Sequence, residues 1–305
     1  MEHLDNCTYC PHNCHVNRHN ERKGFCKTDD SFNIASICIH TGEEPPISGP
    51  KGICNVFFTN CNLQCIYCQN YQISDNTIDR SHTKMTLPDV VSRITSLLNQ
   101  EITHVGFVSP SHCIPQMKAI IKEINNQGYH PVWVYNTNGY DKVETLKSLE
   151  GIIDVYLPDL KYLESNLSAE YSRVPNYPEV AAKALKEMFR QKGSSLILDD
   201  EDKAISGIIV RHLVLPGYTE NSLNVIRFLA TELSPKIHVS LMSQYFPTPK
   251  VCHHPFLGSR LDKTEFEKVV KEMEKLGIDN GWIQEFESSD LYQPDFKKDH
   301  PFEQK

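Results

Sequence analysis

The chain has 305 residues, 39% of them hydrophobic, which is enough to bury the core of one large domain or of one domain with a small appendage. Its 39 acidic and 31 basic side chains give a net charge of −8, which argues against a general attraction to nucleic acid or anionic lipid. No apolar stretch approaches the ~20 residues of a membrane span and the first residues lack the features of a secretion signal, so a cytoplasmic chain is expected.

Residues 1–50 are rich in Cys, His, Asn and Gly and show no sustained apolar periodicity. The whole sequence contains eleven cysteines, and nine of them precede residue 70. In a reducing compartment, such cysteines favour metal binding or catalysis over disulfides. A small Cys-rich metal-binding segment is therefore expected at the N-terminus.

Four cysteines of this segment have the spacing C-x2-C-x3-C-x11-C, and they are Cys7, Cys10, Cys14 and Cys26. Four thiolates close a tetrahedral site without outside help, so zinc and an auxiliary iron–sulfur cluster both fit. A structural or electron-relay role is expected, because no metal position is left open for a substrate. Reduced cysteines without a metal are the alternative.

From residue 53 onward, short β-branched or aromatic runs alternate with amphipathic stretches, the first of which opens with Pro88. Strands that alternate with helices predict a parallel sheet with right-handed crossovers, curled into a full or partial barrel. A doubly wound sheet is the competing architecture. The predicted strands are 56–59, 103–108, 132–136, 152–157, 207–213 and 237–241, and the predicted helices are 88–98, 117–126, 141–149, 180–191, 221–233 and 263–276.

Three further cysteines directly follow the first predicted strand, where function gathers in barrels of this kind. Cys61, Cys65 and Cys68 have the spacing C-x3-C-x2-C, so three thiolates can surround one compact centre. In a four-iron cluster they would leave one iron without a side-chain ligand, whereas a ferredoxin normally closes that position with a fourth cysteine. Structural zinc, with Cys54 or a histidine as the fourth ligand, is the alternative.

The triplet, with the aromatic Tyr67 before its last cysteine, resembles the signature of the radical S-adenosylmethionine (SAM) superfamily. More narrowly, the chain resembles the uncharacterised homologues of pyruvate formate-lyase activating enzyme from about residue 7 to residue 250. The segments that carry this likeness include Cys7–Cys14, Glu43–Gly49, Cys68–Tyr71, Asp159–Lys161, Val214–Gly217 and Ser243–Tyr245. The resemblance implies a Cys-rich segment (1–50), a partial (βα)6 radical SAM barrel (51–250) and a C-terminal extension that completes it (251–305).

The resemblance also implies an activity and its partners. The amino and carboxylate groups of SAM would chelate the open iron of a 4Fe–4S cluster, and one electron would cleave SAM to a 5′-deoxyadenosyl radical that abstracts hydrogen. A reductant such as flavodoxin or ferredoxin would supply the electron. By likeness to glycyl-radical activases, the hydrogen would come from a glycine of a partner enzyme.

Cofactor-binding residues are expected where the predicted strands end. These are Tyr67 in the cysteine loop, Ser109, Ser111 and His112 after the second strand, Asn136, Thr137 and Asn138 at the third, Asp159 and Lys161 after the fourth, and Arg211 in the fifth. Lys161 and Arg211 would pair with the carboxylate or ribose of SAM, with structural ion pairing as the alternative.

Two features depart from the related activases. Ser109-Pro110-Ser111-His112 stands where they carry a Gly-Gly-Glu segment that binds the amino group of SAM. Asn136 replaces an aspartate, which weakens the expectation of a monovalent cation near Thr137 and Asp159. A radical enzyme for a small molecule, peptide or RNA, and a non-enzymatic iron–sulfur or zinc protein, remain the alternative functions.

Overall fold

The structure is a computed structural model that describes residues 4–20, 23–286, 293–298 and 300–302. The strands are β1 (Phe32–His40), β2 (Ile53–Phe58), β3 (Lys84–Met85), β4 (His104–Val108), β5 (Val132–Thr137), β6 (Val155–Pro158), β7 (Ile197–Leu198), β8 (Ala204–Leu213), β9 (His238–Met242) and β10 (Gly281–Ile283). The helices are α1 (Pro45–Ser48), α2 (Tyr71–Ser74), α3 (Leu87–Leu98), α4 (Ile114–Asn126), α5 (Val143–Lys147), α6 (Ser165–Ser172), α7 (Tyr177–Lys192), α8 (Thr219–Phe228) and α9 (Lys263–Lys275).

A ten-stranded sheet forms the centre of the molecule. The six predicted strands are observed as β2, β4, β5, β6, β8 and β9, which lie parallel and in chain order, and β10 adds a further parallel strand beside β9. A doubly wound sheet reverses its strand order near the middle, and this sheet does not. Its two ends are not paired with each other, so the predicted partial barrel is confirmed.

The local sequence explains these elements. All six residues of β2 are buried, which is why its run is apolar except for Asn55 rather than alternating. In α3, the Thr86 hydroxyl accepts a hydrogen bond from the backbone N–H of Asp89, and Pro88 lies in the first turn. The stripe of Val90, Val91, Ile94 and Leu98 is buried against the sheet core.

The sequence analysis does not predict β1. This strand lies within residues 1–50 and pairs antiparallel with β2 and with β3. A bulge between Ile34 and Ser36 shifts its register, which interrupts the two-residue alternation that identifies a strand in a sequence. The Cys-rich segment therefore contributes a strand to the main sheet, and the division of the chain at residue 50 stays a prediction.

Helix boundaries differ modestly from the predicted ones. Predicted helix 221–233 is observed as α8 followed by a π-helical turn, Leu229–Leu233, and predicted helix 141–149 is shortened to α5. Within the described residues, no helix combines the length and the apolar character needed to cross a bilayer.

Candidate functional site

A cavity of about 430 Å³ opens at the carboxyl ends of the parallel strands. Its volume lies within the usual range for small-molecule sites, roughly 300–1,000 Å³. The cavity brings together most of the predicted site residues, and the ones that line it are Cys61, Tyr67, Cys65, Cys68, Ser109, Asn136, Asn138, Asp159, Lys161 and Arg211.

Each sulfur of the Cys61–Cys68 loop has a hydrogen-bond partner. The Cys61 sulfur accepts from the Asn138 side-chain amide at 3.3 Å, and also from a backbone N–H in its own loop at 3.4 Å. The Ser74 hydroxyl donates to the Cys68 sulfur at 3.3 Å, and the Cys65 sulfur lies 2.9 Å from the Ser172 hydroxyl. Partners of this kind fix the orientation of metal-binding thiolates and tune the metal centre.

The three thiols share one largely buried environment. Burial raises the pKa of Cys61 to about 12 and that of Cys65 to about 11, and the neighbouring thiols of the loop add to the rise. Lys161 acts in the opposite direction on Cys65, because its positive charge favours the thiolate. Metal binding removes the proton that burial otherwise retains. Among the described residues, no other cysteine lines the cavity, so this donor set fits a cluster with one open iron.

A line of hydroxyl groups runs from Tyr67 through Tyr162 and Ser172 to the Cys65 sulfur. Tyr162 donates to the Tyr67 oxygen at 2.5 Å and lies 3.1 Å from the Ser172 hydroxyl, which in turn contacts Cys65. Tyr67 is 5% exposed and Tyr162 is fully buried. The network therefore holds the cysteine loop against α6.

Charged groups of both signs line the cavity. Lys161 pairs with Asp159 at 2.6 Å. Arg211 donates to Glu44 at 2.8 Å through Nε and to Glu43 at 2.5 Å through a terminal nitrogen. Burial alone would raise the pKa of Glu43, but the Arg211 charge and further hydrogen bonds lower it to about 2. Buried charges of this kind are retained only when they are paired.

Three of the predicted cofactor-binding residues lie outside the cavity lining. The Ser111 and Thr137 hydroxyls lie 3.2 Å apart, and Thr137 donates to buried Asp141 at 2.5 Å. The His112 ring is fully buried with Nε2 2.9 Å from the Thr59 carbonyl, and burial lowers its pKa to about 4. These three side chains therefore do not line the cavity, and their hydrogen bonds hold the strand ends in place.

The expected cation partners are also held by the protein. Thr137 bonds to Asp141, and Asp159 pairs with Lys161. The structure thus gives both side chains other partners, and a cation beside them is not shown.

Glu43 and Glu44 were not among the predicted site residues. They precede Pro45 in a segment that reads as a turn, and their partner Arg211 lies 167 residues further along the chain from Glu44. The available sequence signal was the pair of adjacent acidic residues in Glu43–Gly49, one of the segments that carry the likeness to the activating-enzyme homologues. Gln244, after β9, also lines the cavity, and its carbonyl accepts from Gln69 at 3.0 Å.

Comparisons with known proteins agree with this site. Residues 47–172 match the family model described as a 4Fe-4S single cluster domain. The uncharacterized protein MJ0674 of Methanocaldococcus jannaschii is 30% identical over 278 residues, which cover 90% of this chain and 76% of the relative. A second protein of that organism, MJ0808, is 22% identical over 265 residues, covering 82% and 73% of the two chains.

Among solved structures, the hydrogenase maturase HydG from Carboxydothermus hydrogenoformans shares the fold, with a TM-score of 0.53 and 12% identity over 76% of this chain. The chain spans about half of that protein, 52% of its length.

A partial parallel barrel with a C-x3-C-x2-C loop at the carboxyl ends of its strands is the arrangement that the likeness to radical SAM proteins predicts, and residues 47–172 match a 4Fe-4S domain. The chain belongs to the family that it shares with MJ0674.

Proposed function

We propose that the protein is an iron–sulfur oxidoreductase that reductively cleaves SAM and abstracts a hydrogen atom from a substrate. The observation that carries this proposal is the Cys61–Cys65–Cys68 loop at the head of a cavity with no fourth cysteine in its described lining. A bound cluster would supply one electron to SAM, giving methionine and a 5′-deoxyadenosyl radical that takes hydrogen from the substrate.

The chain's own groups would position the cofactor. SAM carries a carboxylate, an amino group and a sulfonium, and the cavity presents both basic and acidic side chains. Lys161 and Arg211 suit the carboxylate or ribose, whereas Glu43 and Asp159 suit the positive groups. Ser109 and Asn138 add neutral hydrogen-bonding groups. The buried tyrosines beside the loop limit the access of water to the reacting centre.

For the substrate, we propose a glycine of a partner enzyme, which rests on the likeness to glycyl-radical activases in several separate segments. A small molecule, a peptide or RNA is the alternative. Incubation of the reduced protein with candidate partner enzymes separates the two, because a glycyl radical persists on the partner and is read by electron paramagnetic resonance. Consumption of SAM without a radical on any partner would favour the alternative.

The reductant would meet a basic face next to Cys65. One depression is lined by Cys65, Arg173 and Lys250, and Thr77 lines both this depression and a second one. That second depression brings four further basic side chains, which are Lys23, Lys27, Arg80 and Lys84. The two depressions together have six basic side chains and three acidic ones, Asp29, Asp75 and Asp79. This surface is therefore basic although the whole chain has a net charge of −8. This supports an acidic electron donor such as flavodoxin or ferredoxin.

The decisive experiment is anaerobic reconstitution, reduction, and measurement of 5′-deoxyadenosine formed from SAM. We expect product from the wild type and none from Cys65→Ala, because the cluster loses a ligand. Cys252→Ala is the matched control, since this exposed cysteine lies outside the cavity lining. A fully reconstituted and reduced wild type that leaves SAM intact would exclude the proposed function.

A further inference from the structure

The buried residue Arg18 carries a positive charge whose partners are sulfur atoms. Its guanidinium, 2% exposed, donates to the Cys7 sulfur at 3.1 Å and contacts the Cys26 sulfur at 3.8 Å. Its remaining partner is the carbonyl of His112 at 2.6 Å, and no carboxylate pairs with it in the described residues. A buried guanidinium without a compensating anion is costly. Thiolate sulfurs at Cys7 and Cys26 would supply the missing negative charge.

The backbone around these cysteines is shaped to present their sulfurs. Cys7, Cys10 and Cys26 are buried, and the backbone N–H of Phe25 points at the Cys14 sulfur at 3.5 Å. Asn13 and His15, on either side of Cys14, both have positive φ values of 43° and 53°. Such conformations are unfavourable for non-glycine residues and persist where the surroundings impose them. A Cβ on Gly24 would lie 2.8 Å from the Cys14 sulfur, so only glycine leaves room for it.

We propose that Cys7, Cys10, Cys14 and Cys26 bind a second metal centre, and that Arg18 is its counter-ion. The shared chemistry is a tetrathiolate site, occupied by a zinc ion or by an iron–sulfur cluster. Four thiolates around Zn²⁺ carry a net charge of −2, which Arg18 partly neutralises. No three His, Cys, Asp or Glu side chains stand at single-ion distance in the described residues. Metal binding would therefore have to draw the four sulfurs closer together.

This second centre is linked to the loop of the first by two hydrogen-bonded bridges. His12, two residues from Cys10, contacts the carbonyl of Asn62 at 2.8 Å, next to Cys61. Asn76 donates to the Phe25 carbonyl at 3.0 Å and to the Cys61 carbonyl at 2.9 Å, and it accepts from the Cys61 N–H at 3.0 Å. The His12 and Phe25 rings stack at 3.9 Å between the bridges. Metal at the N-terminal site therefore stiffens the segment that holds Cys61.

The test uses the full chain with Cys61, Cys65 and Cys68 all changed to Ala, so that any remaining metal belongs to the second site. We expect this triple variant to retain about one zinc ion, or iron with matching sulfide, per chain. Adding Cys14→Ala should remove that metal, whereas adding Cys38→Ala, a buried cysteine outside both groups, should not. Zinc without sulfide identifies the ion and iron with sulfide identifies the cluster. A folded triple variant without metal would overturn the proposal.

The counter-ion is tested in the otherwise wild-type chain, in case the multiple variants fail to fold. Arg18→Gln should lose the second metal to a chelator about 10–100-fold faster, because a supporting hydrogen bond and charge are removed. Arg18→Lys, which keeps the charge, should stay close to wild type. Equal rates for Arg18→Gln and the wild type would contradict the assignment. These readouts are independent of SAM cleavage, which the triple variant is not expected to perform.

Discussion

At the scale of single residues, the cavity is characterised by a buried cluster of charges. Arg211 lies between Glu43 and Glu44, and Asn55 donates a further hydrogen bond to Glu43 at 2.7 Å. Removal of one member of such a cluster leaves an unpaired buried charge, which is more destabilising than the loss of a surface pair. The two glutamates thus contribute to stability as well as to the chemistry of the cavity.

This cluster predicts a pH dependence of stability. The pKa of Glu43 falls from 4.5 to about 2 in the folded protein. Its contribution to the free energy of unfolding is therefore complete above pH 4.5 and lost as pH falls toward 2. We expect the wild type to lose up to about 3 kcal/mol more than Glu43→Gln over that interval. Urea unfolding of the metal-free proteins at a series of pH values measures this difference.

The control for that series is Glu232→Gln, since Glu232 belongs to an exposed ion pair with Lys186. Its unfolding curve should follow the pH dependence of the wild type. If Glu43→Gln also follows the wild type, the charge cluster does not shift the titration of Glu43.

At the scale of elements, two short helices supply hydroxyl groups to the cysteine loop. Ser74 is the last residue of α2 and Ser172 the last of α6. The sequence analysis does not predict either helix, because four to eight residues are too few for a clear helical periodicity. Apart from β1, the longer elements were predicted, since their apolar runs extend over several turns or a whole strand. Elements that position side chains at the sulfurs were therefore harder to predict than elements of the core.

The hydroxyl of Ser172 predicts an effect on the cluster's reduction potential. Hydrogen bonds to cluster sulfurs stabilise the more negative, reduced state. We expect Ser172→Ala to lower the potential by roughly 40 mV, the one-electron equivalent of ~1 kcal/mol. Redox titration followed by electron paramagnetic resonance measures the shift. Ser168→Ala is the control, because this hydroxyl on the same helix bonds to the Ser165 carbonyl at 3.1 Å. Equal shifts in both variants would contradict the assignment.

At the scale of the whole molecule, the sequence predicts more of the fold than of the site's charge balance. The strand order follows from the alternation of strands and helices, and the cysteine spacing identifies the centre. The pairing of Arg211 with Glu44 depends on the curvature of the partial barrel, which brings distant parts of the chain together. Ser111 and Thr137 lie at strand ends but do not line the cavity. A single sequence does not specify whether a side chain at a strand end points into the cavity or away from it.

The distribution of charge over the molecule predicts how electrons arrive. The basic face lies beside Cys65, so Lys27→Glu with Arg173→Glu should slow reduction by an acidic protein donor about tenfold at low ionic strength. The effect should shrink with added salt. Reduction by a small chemical reductant should change little. Stopped-flow absorbance measures both rates.

The matched control, Lys183→Glu with Lys268→Glu, makes the same change in net charge on α7 and α9, away from this face. If the two double variants slow the protein donor equally, net charge rather than the basic face controls the encounter.

The part of the cavity wall that Pro294 and Phe302 line is held differently from the part formed by the sheet. Phe302 lies over the rings of His40 and Phe57, with ring centroids 4.0 Å and 5.6 Å away, and Phe296 contacts Phe57 at 5.2 Å. A fully buried phenylalanine contributes about 1.5–3 kcal/mol, and these two rings are only half-buried. Gln72 adds hydrogen bonds to Asp295 and Phe296, and no strand pairing joins the described residues of this segment to the sheet. The contacts that hold Pro294 and Phe302 at the cavity are therefore weaker than strand pairing, so this side of the wall costs less free energy to displace than the side formed by the sheet.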